Sequence, residues 1–149
     1  MTNGCSGFRG EAYWDLNILF NKHKNLFQAA YQYENYIWTH AGINKGWYEY
    51  RFPYKSPHIA DDLNKAFLEN NSILYDVGHS RGGFKDVGGI FWSDKIETWY
   101  KPLPNYHQIV GHTRIDEITT RTINNTTSIT YIDVLENNKT SQQYYVLEI

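Results

Sequence analysis

Two histidines stand at the ends of short runs rich in β-branched and aromatic residues. His40 follows Tyr36-Ile37-Trp38-Thr39, and His112 follows Ile109-Val110-Gly111. Such runs predict buried strands, and the end of a buried strand is where an α/β fold presents an accessible side chain on a fixed backbone. Each imidazole is either a hydrogen-bonded structural residue or a metal ligand. Spacing alone does not decide between the two, because neither His belongs to a local HxH or HExxH pair.

A glycine-rich segment is the second candidate for chemistry. Five of the fifteen residues from 75 to 89 are glycine, and His79, Arg81 and Lys85 lie among them. Backbone N–H groups in such a loop, together with the guanidinium of Arg81, are suited to binding phosphate. The GxxxxGK[ST] pattern of a P-loop is absent, so an ordinary flexible loop is the open alternative.

Other reactive residue types have simpler explanations. Cys5 has neither a nearby His nor a predicted helix N-terminus to activate its thiol. Arg9 lies in a glycine-containing loop and is either a phosphate contact or, as we favour, a solvated charge. Asp61 and Asp62 follow Ser56-Pro57, which predicts a helix N-cap, so the helix dipole explains this pair of acids.

The elements that position these residues can be predicted from periodicity. Helical spacing predicts one amphipathic helix from Tyr13 to Ala30, with His23 on its buried edge, and a second helix after Ser56. Between them, the aromatic segment from Asn44 to Lys55 either covers the core or forms a substrate wall, and we favour the first. The second helix has a buried stripe of Ile59, Leu63, Ala66 and Phe67.

The end of the chain predicts an antiparallel meander. Three runs of β-forming residues, at 118–123, 128–135 and 143–149, are separated by Asn-rich turns. Asp133 interrupts the middle run, and we interpret it as structural. Together with the helices and the strands that end in His40 and His112, this pattern predicts an α/β fold.

Composition limits the class of protein. The chain has 149 residues, enough for a single domain over 1–149, and a formal net charge of −2 that offers nucleic acid or an anionic membrane no attraction. Aromatic residues make up 17%, which suits sheets and interfaces. The single cysteine excludes an internal disulfide, and no secretory signal or membrane-spanning run occurs, so we expect a cytoplasmic location.

Four motifs occur in order along the chain. They are Thr39-His40-Ala41-Gly42-Ile43, Gly89-Ile90-Phe91-Trp92-Ser93-Asp94, Ile109-Val110-Gly111-His112-Thr113, and the closing strands Tyr131-Ile132-Asp133 and Tyr145-Val146-Leu147-Glu148-Ile149. Together they resemble the second half of a calcineurin-like metallophosphoesterase, in the branch of the phosphoprotein phosphatases and diadenosine tetraphosphate hydrolases. The resemblance covers nearly the whole chain. It implies the C-terminal half of a layered α/β/β/α sandwich, with a mixed sheet and a terminal antiparallel meander.

The resemblance also implies a metal site that this chain does not complete. It assigns His40 and His112 as ligands of one of two divalent metals (Mn, Fe or Zn), and Arg81 or Arg114 as phosphate contacts; a solvated rim charge is the alternative for Arg114. The family's acidic motifs, DxH, GDxxDR and GNH[DE], are absent. If two divalent cations were held by the two neutral imidazoles alone, about four positive charges would be left uncompensated. We therefore expect this chain alone to bind metal weakly and to be nearly or wholly inactive.

Two classes of function follow. The first is a metal-dependent phosphoester hydrolase that acts on a phosphorylated substrate and needs the missing half. The second is a non-catalytic remnant that acts as an assembly or binding module. In both, the sheet surface that the other half would cover is expected to be exposed, so the chain is predicted to form a homo-oligomer or to pair with a separate N-terminal half.

Overall fold

The computed structural model of the chain describes residues 10–54, 56–134 and 145–148, and in them five short strands form one mixed sheet. The strands are β1 (Ala30–Tyr33), β2 (Tyr36–Thr39), β3 (His107–Val110), β4 (Thr119–Asn124) and β5 (Thr127–Tyr131). Their order is β1-β2-β3-β5-β4, with β2, β3 and β5 parallel in the centre and β1 and β4 antiparallel at the edges. The predicted α/β class with a mixed sheet is confirmed.

The carboxyl ends of the three parallel strands lie level at one edge of the sheet. Thr39 pairs with Val110, and Val110 pairs with Tyr131. The residues that follow these strands therefore meet at the same edge, where open α/β sheets bind their ligands. The two strands predicted to end in a histidine are both present, and β2 has the predicted bounds.

The α-helices are α1 (Tyr13–Lys22), α2 (Lys45–Arg51), α3 (Ile59–Leu68) and α4 (Lys95–Tyr100). The last three cover one face of the sheet. On that face, Ala30 and Ile37 pack with buried residues of α2 and α3, and Val110, Ile129 and Tyr131 pack with Trp99 of α4.

The aromatic segment around α2 mainly covers the core. Trp47 and Tyr48 are buried in it, and Phe52 packs against it. The Asn44 side chain accepts hydrogen bonds from the N–H groups of Gly46 and Trp47 and so caps the helix. The core-covering interpretation of this segment is therefore the better one.

The start of α3 differs from the prediction. The helix begins at Ile59 with His58 as its N-cap residue, so the predicted cap at Ser56 with proline at the first helical position is wrong. The reason is a turn held by side chains, because Ser56 N–H donates to Asp62 Oδ2 and His58 N–H donates to Ser56 Oγ. Asp61 and Asp62 do lie in the first turn, as predicted, and the predicted stripe is buried at Ile59, Leu63 and Ala66 and half-buried at Phe67.

The first predicted helix is too long. It ends at Lys22, and Ala30 lies in β1 instead. The prediction that its apolar stripe is buried is also wrong. Leu19 and Phe20 are 50% exposed, and no residue of α1 is buried in the described part of the chain. Periodicity predicts an apolar face but not what covers it. Among the described helices, none is both long and apolar enough to cross a bilayer.

The predicted meander is present in part. Its first two strands are β4 and β5, which pair antiparallel. Of the third predicted strand, residues 145–148 form no strand, and the remainder lies outside the described residues.

The face of the sheet opposite the helices carries a row of aromatic rings. This aromatic face consists of Tyr31, Tyr33, Tyr36, Trp38 and His107, which the strand register places on one side. Tyr31 and Trp38 have ring centroids 5.4 Å apart, and Tyr36 and His107 have theirs 4.9 Å apart. Tyr31 and Tyr33 are 50% and 48% exposed, and none of the five belongs to the clusters of buried core residues. The aromatic face is thus open at Tyr31 and Tyr33 and half-buried at Tyr36, Trp38 and His107.

Candidate functional site

The two predicted histidines meet at the carboxyl edge of the parallel strands. His40 directly follows β2, and His112 lies two residues after β3. Their side chains approach so that His40 Nε2 lies 3.0 Å from His112 Nδ1. The two nitrogens are thus close enough either to share a proton in a hydrogen bond or to bind one cation together.

Backbone hydrogen bonds fix the turn that carries His40. Gly111 N–H donates to His40 O at 2.9 Å, and Ala41 N–H donates to Ile90 O at 2.7 Å. Gly42 then adopts φ +97°, a value that suits glycine, which allows the chain to turn away from the sheet. The buried amide of Gln108 bonds both backbone groups of Ile43 and holds the far side of this turn.

The backbone at His112 is strained. Its φ is +65°, and the turn is closed by Thr113 N–H donating to Gly111 O at 2.7 Å. A non-glycine residue in this region costs of order 1–3 kcal/mol, and such strain clusters at functional sites. The Trp92 ring packs edge-on against the imidazole, with centroids 5.6 Å apart. In the described part of the chain, His112 Nε2 is buried without a hydrogen-bond partner.

Both imidazoles favour the neutral form, which is the form that binds metals. Burial lowers the pKa of His40, and the Asp133 carboxylate partly opposes this shift. Burial also lowers the pKa of His112 to about 4, helped by the charges of Arg81 and His40 and opposed by Asp94 and Asp133. At neutral pH, the two ring nitrogens that face each other therefore have a lone pair available between them.

The predicted phosphate contacts lie in the same cleft. Arg81 Nε forms an ion pair with Asp94 Oδ2 at 2.9 Å, and Arg81 Nη2 donates a hydrogen bond to Thr113 Oγ1 at 2.7 Å. These contacts fix the guanidinium beside His112. Arg114, the next residue after Thr113, also lines the cleft and is exposed.

The cleft is large and has both polar and aromatic walls. Its volume is about 1270 Å³, and all four predicted site residues line it. Phe91 and Tyr75 stack with centroids 4.9 Å apart beside His40, and two carboxylates, Asp94 and Asp133, also reach it. The four predicted site residues among this lining are His40, Arg81, His112 and Arg114.

The imidazole pair fits part of a metal site. With metal–nitrogen bonds of about 2.0–2.1 Å, two nitrogens on one ion lie about 2.9 Å apart at a right angle and about 3.4 Å apart at the tetrahedral angle. The observed 3.0 Å falls within this range. The rest of the ligand set for a metal is incomplete, because the described residues contain no group of three His, Cys, Asp or Glu side chains placed to hold a metal.

Three polar members of the cleft were not predicted. Asp133 was interpreted as structural, and Asp94 and Thr113, which hold Arg81, were given no role. Asp133 had a signal, because it follows a β-rich run just as His40 does. Cys5 and Arg9 lie outside the described residues, while Asp61, Asp62 and His79 do not line the cleft.

Comparison with known proteins assigns the chain to no group. No protein-family model matches it, and neither the curated proteins nor the solved structures include a significant match. A function for the chain must therefore be inferred from the geometry of the cleft and from the motifs.

Proposed function

We propose that the chain is the C-terminal half of a calcineurin-like metallophosphoesterase domain and contributes part of a phosphoester-hydrolysing site. One observation carries this proposal: His40 Nε2 and His112 Nδ1 lie 3.0 Å apart in a cleft that Arg81 and Arg114 also line. Neutral imidazoles suit Mn, Fe or Zn, and guanidinium groups suit a phosphoryl group. His40 and His112 were selected by motif, whereas Arg81 and Arg114 were selected as candidate phosphate contacts near the motifs. The presence of all four in one cleft supports the motif assignment.

Each group has a definite task in this proposal. A divalent metal supplies a Lewis acid and an acidified water. His40 and His112 present their facing nitrogens to one ion. Arg81, which Asp94 and Thr113 hold in place, binds phosphoryl oxygens, and Arg114 adds positive charge at the rim.

The chain alone is proposed to be nearly or wholly inactive. A pair of metals about 3.5–4 Å apart, as in two-metal phosphoesterases, needs carboxylates that neutralise and bridge them. Among the described residues, no group of three metal-binding side chains is placed to do so. The missing carboxylates would come from the N-terminal half of the domain, and the open aromatic face, which is continuous with the cleft through Tyr31 and Trp38, is where we propose that this half packs.

A second candidate function is favoured by the same face. Exposed aromatic surface of this kind is typical of interaction sites, so a non-catalytic module that acts through assembly is the alternative. In that case the imidazole pair is only a hydrogen bond between two strand ends. The cytoplasmic location stays a prediction in both cases, whereas a phosphorylated substrate is predicted only for the phosphoester hydrolase.

Zn²⁺ binding by calorimetry tests the proposed function. We expect one weak site per chain, lost in His40→Ala and retained in His79→Ala, a control whose 65% exposed imidazole lies outside the cleft. Equal Zn²⁺ binding by all three proteins would favour the assembly module. Hydrolysis of p-nitrophenyl phosphate by the unmodified chain, if abolished in His40→Ala, would contradict the inactivity of the isolated half.

A further inference from the structure

Asp133 stands at the end of the third parallel strand, beside the two histidines. Ile132 N–H donates to Val110 O at 2.9 Å, which continues the sheet one residue beyond β5. Two further backbone hydrogen bonds hold the chain at Asp133. The Asp133 carbonyl accepts from Ile115 N–H at 3.0 Å, and Val134 N–H donates to Ile132 O at 3.0 Å. The ends of β2, β3 and β5 therefore present His40, His112 and Asp133 to one cleft.

The two carboxylates of the cleft differ in what they contact. Asp94 is committed to structure, because its Oδ2 pairs with Arg81 and its Oδ1 accepts from Ile96 N–H at the start of α4. Asp133 is half-buried, and within the described ranges no residue donates a hydrogen bond to its carboxylate or pairs with it. A half-buried charge without a partner is unfavourable, so this carboxylate is suited to a cation.

We propose that Asp133 compensates the charge of a divalent cation bound between His40 and His112. This inference rests on the proposed function, since it takes the two imidazoles as the ligands. Asp133 acts through the electrostatic field of its carboxylate and not as a ligand. The reason is that, among the described residues, no third His, Cys, Asp or Glu side chain is placed to bond the ion. Carboxylates that hydrogen-bond the ligands of a metal change its affinity by about 10–100-fold. Asp133 makes no such bond in the described ranges, so we expect its effect at the lower end of this range.

The Asp133→Asn variant tests this role, because it removes the charge and keeps the shape. Zn²⁺ affinity is measured by calorimetry for the unmodified chain, for Asp133→Asn and for Asp86→Asn, and thermal unfolding without zinc checks that each is folded. Asp86 is the matched control, because its carboxylate is fully exposed and lies outside the cleft. We expect Asp133→Asn to weaken Zn²⁺ binding by about tenfold and Asp86→Asn to leave it within about threefold.

The outcomes separate this inference from the proposed function. If His40→Ala abolishes Zn²⁺ binding but folded Asp133→Asn binds like the unmodified chain, the role of Asp133 is overturned and the imidazole site stands. If His40→Ala also leaves binding unchanged, both fail. If Asp133→Asn does not fold, Asp133→Glu and Asp133→Ser are compared instead. Asp133→Glu keeps the charge and should bind Zn²⁺ about tenfold more tightly than Asp133→Ser. Equal affinities of these two variants overturn the inference.

Discussion

His40 and His112 are 72 residues apart in the sequence, yet His40 Nε2 and His112 Nδ1 face each other at 3.0 Å. Parallel pairing of β2 with β3 brings this about, because Thr39 and Val110 are opposite partners and the histidines follow them. The pair lies where the carboxyl ends of three parallel strands meet.

Removing the guanidinium of Arg81 should weaken phosphate binding. Inorganic phosphate, titrated into the zinc-loaded chain and followed by ³¹P NMR, is expected to bind about 10–100-fold more weakly to Arg81→Gln, because a hydrogen bond to a charged group contributes about 1.5–3 kcal/mol. Arg114→Gln should have a smaller effect, since this side chain is exposed at the rim. Arg121→Gln is the control, because Arg121 stacks on Trp99 outside the cleft. If Arg121→Gln weakened phosphate binding equally, the effect would come from the lower positive charge of the chain and not from a contact with Arg81.

The turn after His40 should not tolerate a side chain at Gly42. A Cβ there would lie 3.2 Å from Thr98 Cγ2, and the φ of +97° disfavours alanine in any case. Gly42→Ala is expected to lower the free energy of unfolding by about 1–3 kcal/mol in urea titrations.

Two other glycines separate the causes of that loss. Gly82 has φ +77° but open space around it, and Gly10 has open space without a positive φ. Gly82→Ala should therefore show the conformational effect alone, of about 1 kcal/mol, and Gly10→Ala almost none. A loss in Gly42→Ala no larger than that in Gly82→Ala would remove the steric part of the explanation.

Tyr131 should make the fold sensitive to alkali. Burial raises the pKa of its phenol to about 12, and Asp94 adds to this, whereas the hydrogen bond with Thr98 and the charge of Arg121 oppose it. Below pH 10 the phenol is protonated in both states, so it adds no pH dependence. Between about pH 10 and 12 the unfolded chain loses the proton first, and the free energy of unfolding falls by about 2 kcal/mol.

The Tyr131→Phe variant measures this contribution. Its free energy of unfolding should decline less steeply above pH 10 than that of the unmodified chain, as followed by urea titrations at several pH values. Tyr50→Phe serves as the control, because the Tyr50 ring is 78% exposed, and it should keep the unmodified slope. Identical slopes for all three proteins would show that Tyr131 does not carry the effect.

The aromatic face should cause self-association of the isolated chain. Size exclusion with light scattering is expected to give concentration-dependent oligomers, because open apolar sheet surface associates in water. The double variant Tyr31→Ser/Tyr33→Ser should shift the chain towards monomer. Tyr50→Ser/Tyr54→Ser, at rings that are 78% and 92% exposed and lie off this face, should not. A single sharp monomer peak for the unmodified chain would count against this prediction.

Local patterns in the sequence were enough to predict several elements. Alternation and β-branching predicted β2, β3 and the β4–β5 hairpin, and helical spacing predicted the buried stripe of α3. They also placed His40 and His112 at strand ends, because a strand followed by a turn at glycine is encoded within a few neighbouring residues.

Long-range contacts decided the rest. The sequence predicted burial for α1 and a structural role for Asp133, yet the described residues leave α1 exposed and Asp133 lines the cleft. Likewise, the approach of Arg81 to Thr113, 32 residues away, cannot be read from local spacing. Periodicity records which side of an element is apolar or polar, whereas the partner of that side depends on the order and direction in which the strands pair. Here the parallel alignment of β2, β3 and β5 brought His40, His112 and Asp133 to one cleft, and contacts with Asp94 and Thr113 hold Arg81 there.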